Sequence, residues 1–140
     1  MEVHLAQTDR DIMSCFSVMA QLRTHLQEEE FLPRVRRQEQ EGYRLIRLVD
    51  ADVVRAVSGF RLGESLAWGK YLYIDDLVTD ERGRSHGYGQ RLFDWLLDFA
   101  RAEECEQVHL DSGVQRFGAH RFYLRNRMDI SSHHFTLMLT

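Results

Sequence analysis

The sequence predicts one α/β domain, a mixed and mostly antiparallel sheet flanked by helices with a single parallel strand pair, and three observations predict it. From Tyr43 the period changes, and residues 43–62 form two largely apolar runs on either side of a polar break at Asp50, Ala51 and Asp52, the pattern of an antiparallel hairpin. An apolar strand through Ile74 and Val78 then runs through a basic, glycine-punctuated turn into an amphipathic helix. A short strand from Gln107 follows, and a helical crossover between neighbouring strands makes them parallel. A length of 140 residues supports one core and not two of ordinary size.

Each element follows from local pattern. Residues 2–7 read as a first strand, and Thr8 with Asp11 has the spacing that closes a helix N-terminus from both sides. A helix then runs to about His25, with Ile12, Phe16, Met19 and Ala20 on one face. The acidic run Glu28, Glu29, Glu30 suits a second helix N-terminus. Proline is tolerated in a first turn, so Pro33 places that start close to Phe31 and the end before Gly42. After the hairpin, Gly63, Glu64 and Ser65 make the next turn, and residues 68–78 form the strand that carries Asp75 and Asp76. The helix over residues 88–103 turns Leu92, Leu96, Phe99 and Ala100 to the core. A second helix covers 117–127, and residues 135–139 are apolar enough to close the sheet as a terminal strand.

Composition excludes several function classes. A net charge of -4 gives no general attraction to nucleic acid, and the basic residues Arg34, Arg36 and Arg37 read as a solvated helix face. Cys15 and Cys105 have no metal-ligand spacing and are too few for a disulfide scaffold, which fits reduced thiols in the cytoplasm. No apolar run approaches the roughly 18 residues of a membrane span, and the N-terminus has no leader pattern, so no membrane association is expected. Adjacent His133 and His134 diverge on an extended chain, and with His120 they do not make a converging ligand set, so no metal is expected.

The strand-turn-helix is an anion site in its chemistry. The first turn of a helix has unpaired N–H groups and the positive end of the helix dipole. Gly87 and Gly89 admit close backbone approach, and Arg82, Arg84 and Arg91 add positive charge. Asp75 and Asp76 lie upstream, expected on opposite faces of their strand so that one faces a given cleft. The P-loop pattern is excluded because Gln90 follows Gly89, and the dinucleotide-binding pattern because Leu92 stands at its third glycine position.

At these residues the chain resembles the GNAT superfamily of N-acetyltransferases. Arg84-Ser-His-Gly87-Tyr-Gly89 is similar to the family's Arg/Gln-x-x-Gly-x-Gly/Ala turn. The resemblance implies that Arg84, Ser85, His86, Gly87, Tyr88 and Gly89 hold the pyrophosphate of acetyl-CoA. It also implies that Leu77, Val78 and Thr79 offer backbone partners to pantetheine where the parallel strand pair splays. Ala119-His-Arg-Phe-Tyr123 resembles the segment whose tyrosine serves the leaving sulfur, which gives Tyr123 that role. Tyr73-Ile-Asp-Asp is similar to the family's Tyr-x-Glu-Asp, which makes Asp75 the expected general base, with Asp76 or Asp111 as substitutes. Departures fall on the substrate side, with Arg116 where the family often has asparagine and Arg127-Met128 where it often has Gly-Phe.

The expected activity is acetyl transfer from acetyl-CoA to a small-molecule primary amine, a small amine or polyamine, by direct attack in a ternary complex. A non-catalytic acyl-CoA-binding module, or an acetyltransferase of a protein amine or aminoacyl-tRNA, is the alternative. Dimers are common in the family, so a homodimer is among the expected states.

Overall fold

The computed structural model describes residues 1–140. Five strands and five α-helices follow in the order β1 (Glu2–Leu5), α1 (Asp9–Met13), α2 (Phe16–Leu22), α3 (Glu28–Glu39), β2 (Arg44–Asp50), β3 (Val53–Ser65), β4 (Gly69–Thr79), α4 (Tyr88–Ala102), β5 (Gln107–Leu110) and α5 (Phe117–Arg125). The strands form one sheet in sequence order, antiparallel from β1 to β4, with β4 and β5 the parallel pair. The chain divides into two compact units, Met1–His109 and Leu110–Thr140.

In the first unit, α1 opens as its sequence dictates. Thr8 Oγ1 accepts from the Asp11 N–H at 3.0 Å, and Asp11 Oδ2 accepts from the Thr8 N–H at 3.3 Å, a reciprocal capping box. The single helix expected to His25 is instead two, because Ser14 Oγ donates to the Asp11 carbonyl at 2.5 Å and Cys15 N–H turns to the Ile12 carbonyl. The break lets Cys15 and Val18 bury beside Ile12 and Met19. Helix α3 begins at Glu28, three residues before the expected start, and so places exposed Pro33 in its second turn. The hydrogen bond lost there would have ended on the Glu29 carbonyl, which faces water.

The β2–β3 hairpin turns at Ala51 (φ 52) and Asp52 (φ 64), both left-handed, the twist that a two-residue turn between right-twisted strands requires. The β3–β4 turn lies at residues 66–68 and not at Gly63, Glu64 and Ser65, which remain in β3. Gly63 is small because the Tyr71 phenol lies over it: an added Cβ would sit 2.5 Å from Tyr71 Oη. Buried side chains on the two faces hold the sheet. Ile12, Val18, Met19, Phe31, Val35, Leu45 and Val57 pack on the α1–α3 side. On the α4 side Phe60 meets Trp95 and Phe99 edge-on, with centroids 6.1 and 5.2 Å away.

The second unit contains α5 and an extended tail. Residues 128–140 form neither helix nor strand, so the terminal strand expected at 135–139 is absent. Phe135, Leu137, Met138 and Leu139 are 92%, 84%, 76% and 89% exposed. Three successive apolar residues give no alternation to assign a buried face, and pairing register depends on such alternation.

Candidate active site

Strand β4 carries the two adjacent carboxylates on a β-bulge. Across the β3–β4 ladder Asp76 faces Gly59 and Ile74 faces Phe60, which leaves Asp75 as the extra residue. The bulge undoes the strict alternation expected of neighbours, and both carboxylates join one network. Asp75 Oδ2 accepts from Arg61 Nε at 2.9 Å. Asp76 Oδ1 accepts from Arg23 Nε and Oδ2 from Tyr43 Oη, both at 2.8 Å. Arg61 lies over the Tyr43 ring, 5.3 Å from its centroid, and its Nη2 donates to Gln38 Oε1 at 2.7 Å. Arg23, the residue that ends α2, also donates from Nη2 to the Asp75 backbone carbonyl at 2.7 Å, so the bulge is tied to the helix layer.

The two carboxylates differ in how completely they are held. Asp76 is 13% exposed and has strong donors on both oxygens, while Asp75 is 22% exposed and is held by Arg61 on Oδ2 alone. Burial raises the Asp75 carboxyl above its ordinary range, Arg61 pulls against that, and the Asp76 charge adds to the rise. Burial, then the Asp76 charge, pushes the Tyr43 phenol well above its ordinary value, so Tyr43 remains a donor. Tyr43 reaches Asp76 only because residue 59 is glycine: an added Cβ there would run into the phenol.

Beyond Asp76, β4 has β3 on one side, with Leu77, Val78 and Thr79 opposite Ser58, Val57 and Ala56. On the other side β5 begins beside Lys70, where Glu106 N–H donates to the Lys70 carbonyl at 2.7 Å. β5 has only four residues, so running parallel from that point it ends before the last part of β4. The segment from Asp76 onward therefore extends past the end of β5.

The chain then passes a 3₁₀ turn, Glu81–Gly83, anchored by fully buried Asp80. Asp80 accepts from Arg82 and from Gln21 Nε2, and these donors, Arg82 first, hold its carboxyl down at about 2. Arg82 is therefore paired with Asp80 through Nε and Nη2. Ser85 (φ 71) and Gly87 (φ 77) are both left-handed, and α4 starts without a side-chain cap. Arg91 N–H makes the first helical bond, to the Gly87 carbonyl at 3.0 Å, which leaves the preceding first-turn N–H groups without helical partners. An added Cβ at Gly87 would meet nothing within 4 Å, whereas one at Gly89 would press on Thr79 Oγ1 at 3.2 Å. Arg84 and His86 are exposed, and His86 stacks on Tyr88 at 5.5 Å. The Tyr88 side chain is occupied too, since its hydroxyl donates to Asp50 Oδ2 at 2.7 Å.

In the second unit Tyr123 lies on α5 with its ring 5.5 Å from Phe122. Burial raises its phenol above the ordinary value, and the Arg116 charge, then a hydrogen bond with Arg116, oppose the rise. Asp111, just past β5, is exposed and pairs with His134 Nδ1 at 3.3 Å. Cys15 is buried, and that burial pushes its thiol up to about 12, which disfavours the thiolate a nucleophile would need. No group of three or more His, Cys, Asp or Glu side chains is placed to hold a metal ion, and no helix is long and apolar enough to cross a membrane. Arg23, Gln38, Tyr43 and Arg61 were not legible as site residues. The register of the ladder brings Arg61 to Asp75: Arg61 faces Tyr73, which puts Asp75 on its diagonal.

The model of the acetyltransferase (GNAT) family matches residues 6–127. A Bacillus subtilis (strain 168) protein described as the uncharacterized N-acetyltransferase YhdJ is 37% identical over 124 residues, covering 86% of this chain and 87% of that protein. Two solved structures share the fold at low identity. Ribosomal-protein-alanine N-acetyltransferase from Brucella melitensis biovar Abortus 2308 has a TM-score of 0.84 at 11% identity, over 99% of this chain and 100% of that one. Glucosamine-6-phosphate N-acetyltransferase from Arabidopsis thaliana has a TM-score of 0.78 at 20% identity, over 100% of both chains. The family model spans most of the chain and the Bacillus relative agrees with it, so this protein belongs to the GNAT family as an N-acetyltransferase.

Proposed function

We propose that this chain acetylates a small primary amine carrying one positive charge, by direct attack of the amine in a ternary complex with acetyl-CoA. The observation that carries the reading is a bulge carboxylate with one uncommitted oxygen on the same strand that leads into an uncapped helix N-terminus. The residues fit acetyl-CoA. Space around Gly87, the open first-turn N–H groups and exposed Arg84 suit a pyrophosphate. The part of β4 at Leu77, Val78 and Thr79, paired with β3 and lying past the end of β5, suits an extended amide-bearing arm. When bound, acetyl-CoA supplies an acetyl group activated as a thioester.

The protein's own groups then have to manage protons. A free alkyl amine has a reference pKa near 10.4 and is protonated at neutral pH, so it must lose a proton before it attacks. Asp75 Oδ1 accepts that proton, directly or through one water. Tyr123, kept protonated, donates a proton to the departing sulfur, and the second proton that nitrogen sheds on forming the amide restores the phenol. Of the small-amine and polyamine classes, charge balance favours the first. Asp75, Asp76, Arg23 and Arg61 sum to zero, so additional ammonium groups find no uncompensated carboxylate in this network. In this reading residues 1–140 work as one cytoplasmic acetyltransferase domain.

The test is mass-spectrometric detection of acetylated product from acetyl-CoA with a panel of monoamines, polyamines and amine-bearing peptides. Acetylation of monoamines ahead of polyamines is expected. Preferential acetylation of polyamines would refute the charge argument, preferential acetylation of peptides would establish the protein-amine alternative, and acetyl-CoA binding with no acceptor at all would favour a non-catalytic module.

A further inference from the structure

We propose that Arg61 is a positioning residue for the acetyl transfer, fixing Oδ2 of Asp75 so that Oδ1 is presented to the acceptor amine. The inference rests on the reading of Asp75 as base. Asp75 is the extra residue of a bulge, and a bulge residue lacks the ladder partner that would otherwise fix its direction. Its carboxylate receives a side-chain hydrogen bond from Arg61 alone, at 2.9 Å. Arg61 is itself immobilised from two other elements. Gln38 of α3 accepts from its Nη2 at 2.7 Å, and the Tyr43 ring lies under its guanidinium at 5.3 Å. An arginine held on three sides orients a carboxylate more narrowly than a flexible lysine does.

The same contact lowers the proton affinity that burial gives Asp75. The charged and titratable groups around Asp75 are Arg61 on β3, Asp76 on β4, Arg23 at the end of α2, and, through Asp76, the Tyr43 phenol before β2. Burial and Asp76 favour the protonated acid, while Arg61 and Arg23 favour the carboxylate, with Arg61 the larger of the two. Loss of the Arg61 charge therefore leaves Asp75 protonated to higher pH. A salt bridge that merely stabilised the fold would change the amount of folded enzyme and not this dependence.

The experiment is the pH profile of kcat/KM for wild type, Arg61→Gln, Arg61→Lys and Asp75→Asn, with acetyl-CoA affinity and folded fraction measured for each. The acceptor's own ionisation is common to all four. Arg61→Gln is expected to move the acid-side inflection to higher pH and to lower kcat at the plateau about ten- to a hundredfold, with acetyl-CoA affinity unchanged. Arg61→Lys, which keeps the charge, is expected to keep the inflection and regain part of kcat. If Asp75→Asn is inactive while the Arg61→Gln profile superimposes on wild type, the positioning role is overturned and the base assignment stands. If Asp75→Asn retains wild-type activity, the base assignment falls, and this inference with it.

Discussion

Gly59→Ala tests the packing that builds the site. Alanine in a strand is ordinarily better than glycine by roughly 0.5–1 kcal/mol, so an open position would be neutral or stabilised. Here the new methyl group would run into the Tyr43 phenol, which is 6% exposed and sits against β3 opposite Asp76. The phenol has to leave. It would lose the 2.8 Å bond to Asp76, a hydrogen bond to a charged group worth about 1.5–3 kcal/mol, and its stack with Arg61, worth about 0.5–2 kcal/mol. Forcing extra volume into a packed site costs a further ~1–3 kcal/mol, or less once the ring has moved. A net loss of about 4 kcal/mol is expected, a large share of the roughly 5–15 kcal/mol that holds a domain folded. Urea unfolding gives the value, and a double-mutant cycle with Tyr43→Ala isolates its cause. With the ring gone, Gly59→Ala should cost less than about 1 kcal/mol, so the coupling should be near 3 kcal/mol. Additive costs in the double variant would refute the clash as the reason residue 59 is glycine.

Three other outcomes are expected. Asp80 has its folded pKa depressed to about 2 from an unfolded 3.8, so its stabilisation is complete above pH ~4 and is lost as pH falls through about 2. Because Arg82 is 72% exposed, the contribution is about 1 kcal/mol, and Asp80→Asn should flatten the acid side of a urea-midpoint profile by that amount. Gly87→Ala meets no neighbour but must keep φ near 77, so it should cost about 1–2 kcal/mol by thermal unfolding and weaken acetyl-CoA binding measured by calorimetry. Tyr123→Phe should lower kcat about 10²-fold or more at unchanged acetyl-CoA affinity, and an unchanged kcat would remove Tyr123 from the proton path.

What could be read from the sequence was local. The Thr8–Asp11 capping box, the hairpin around Ala51 and Asp52, and the glycine turn that opens α4 each depend on residues a few positions apart, and each is present. Local pattern misled where a distant side chain decided the outcome. Gly63 looks like a turn residue, yet it is small because Tyr71 packs over it. Ser14 sits in a helical pattern, yet its hydroxyl takes a backbone carbonyl and also accepts from Arg47 at 3.1 Å. At the proposed site, Asp75 and the glycine turn are the residues that the family resemblance picks out. Arg23, Gln38 and Arg61 were not legible, because a β-bulge is a property of register between two strands and gives no signal in either strand alone.

The most direct test of acetyl transfer through Asp75 is release of free CoA thiol from acetyl-CoA, with and without a monoamine acceptor, for wild type and Asp75→Asn at matched acetyl-CoA occupancy. The expected result is amine-dependent release by wild type that falls about 10²–10⁴-fold in the variant, the size of a lost general base, with cofactor binding intact. Equal amine-dependent release by both proteins would contradict the account.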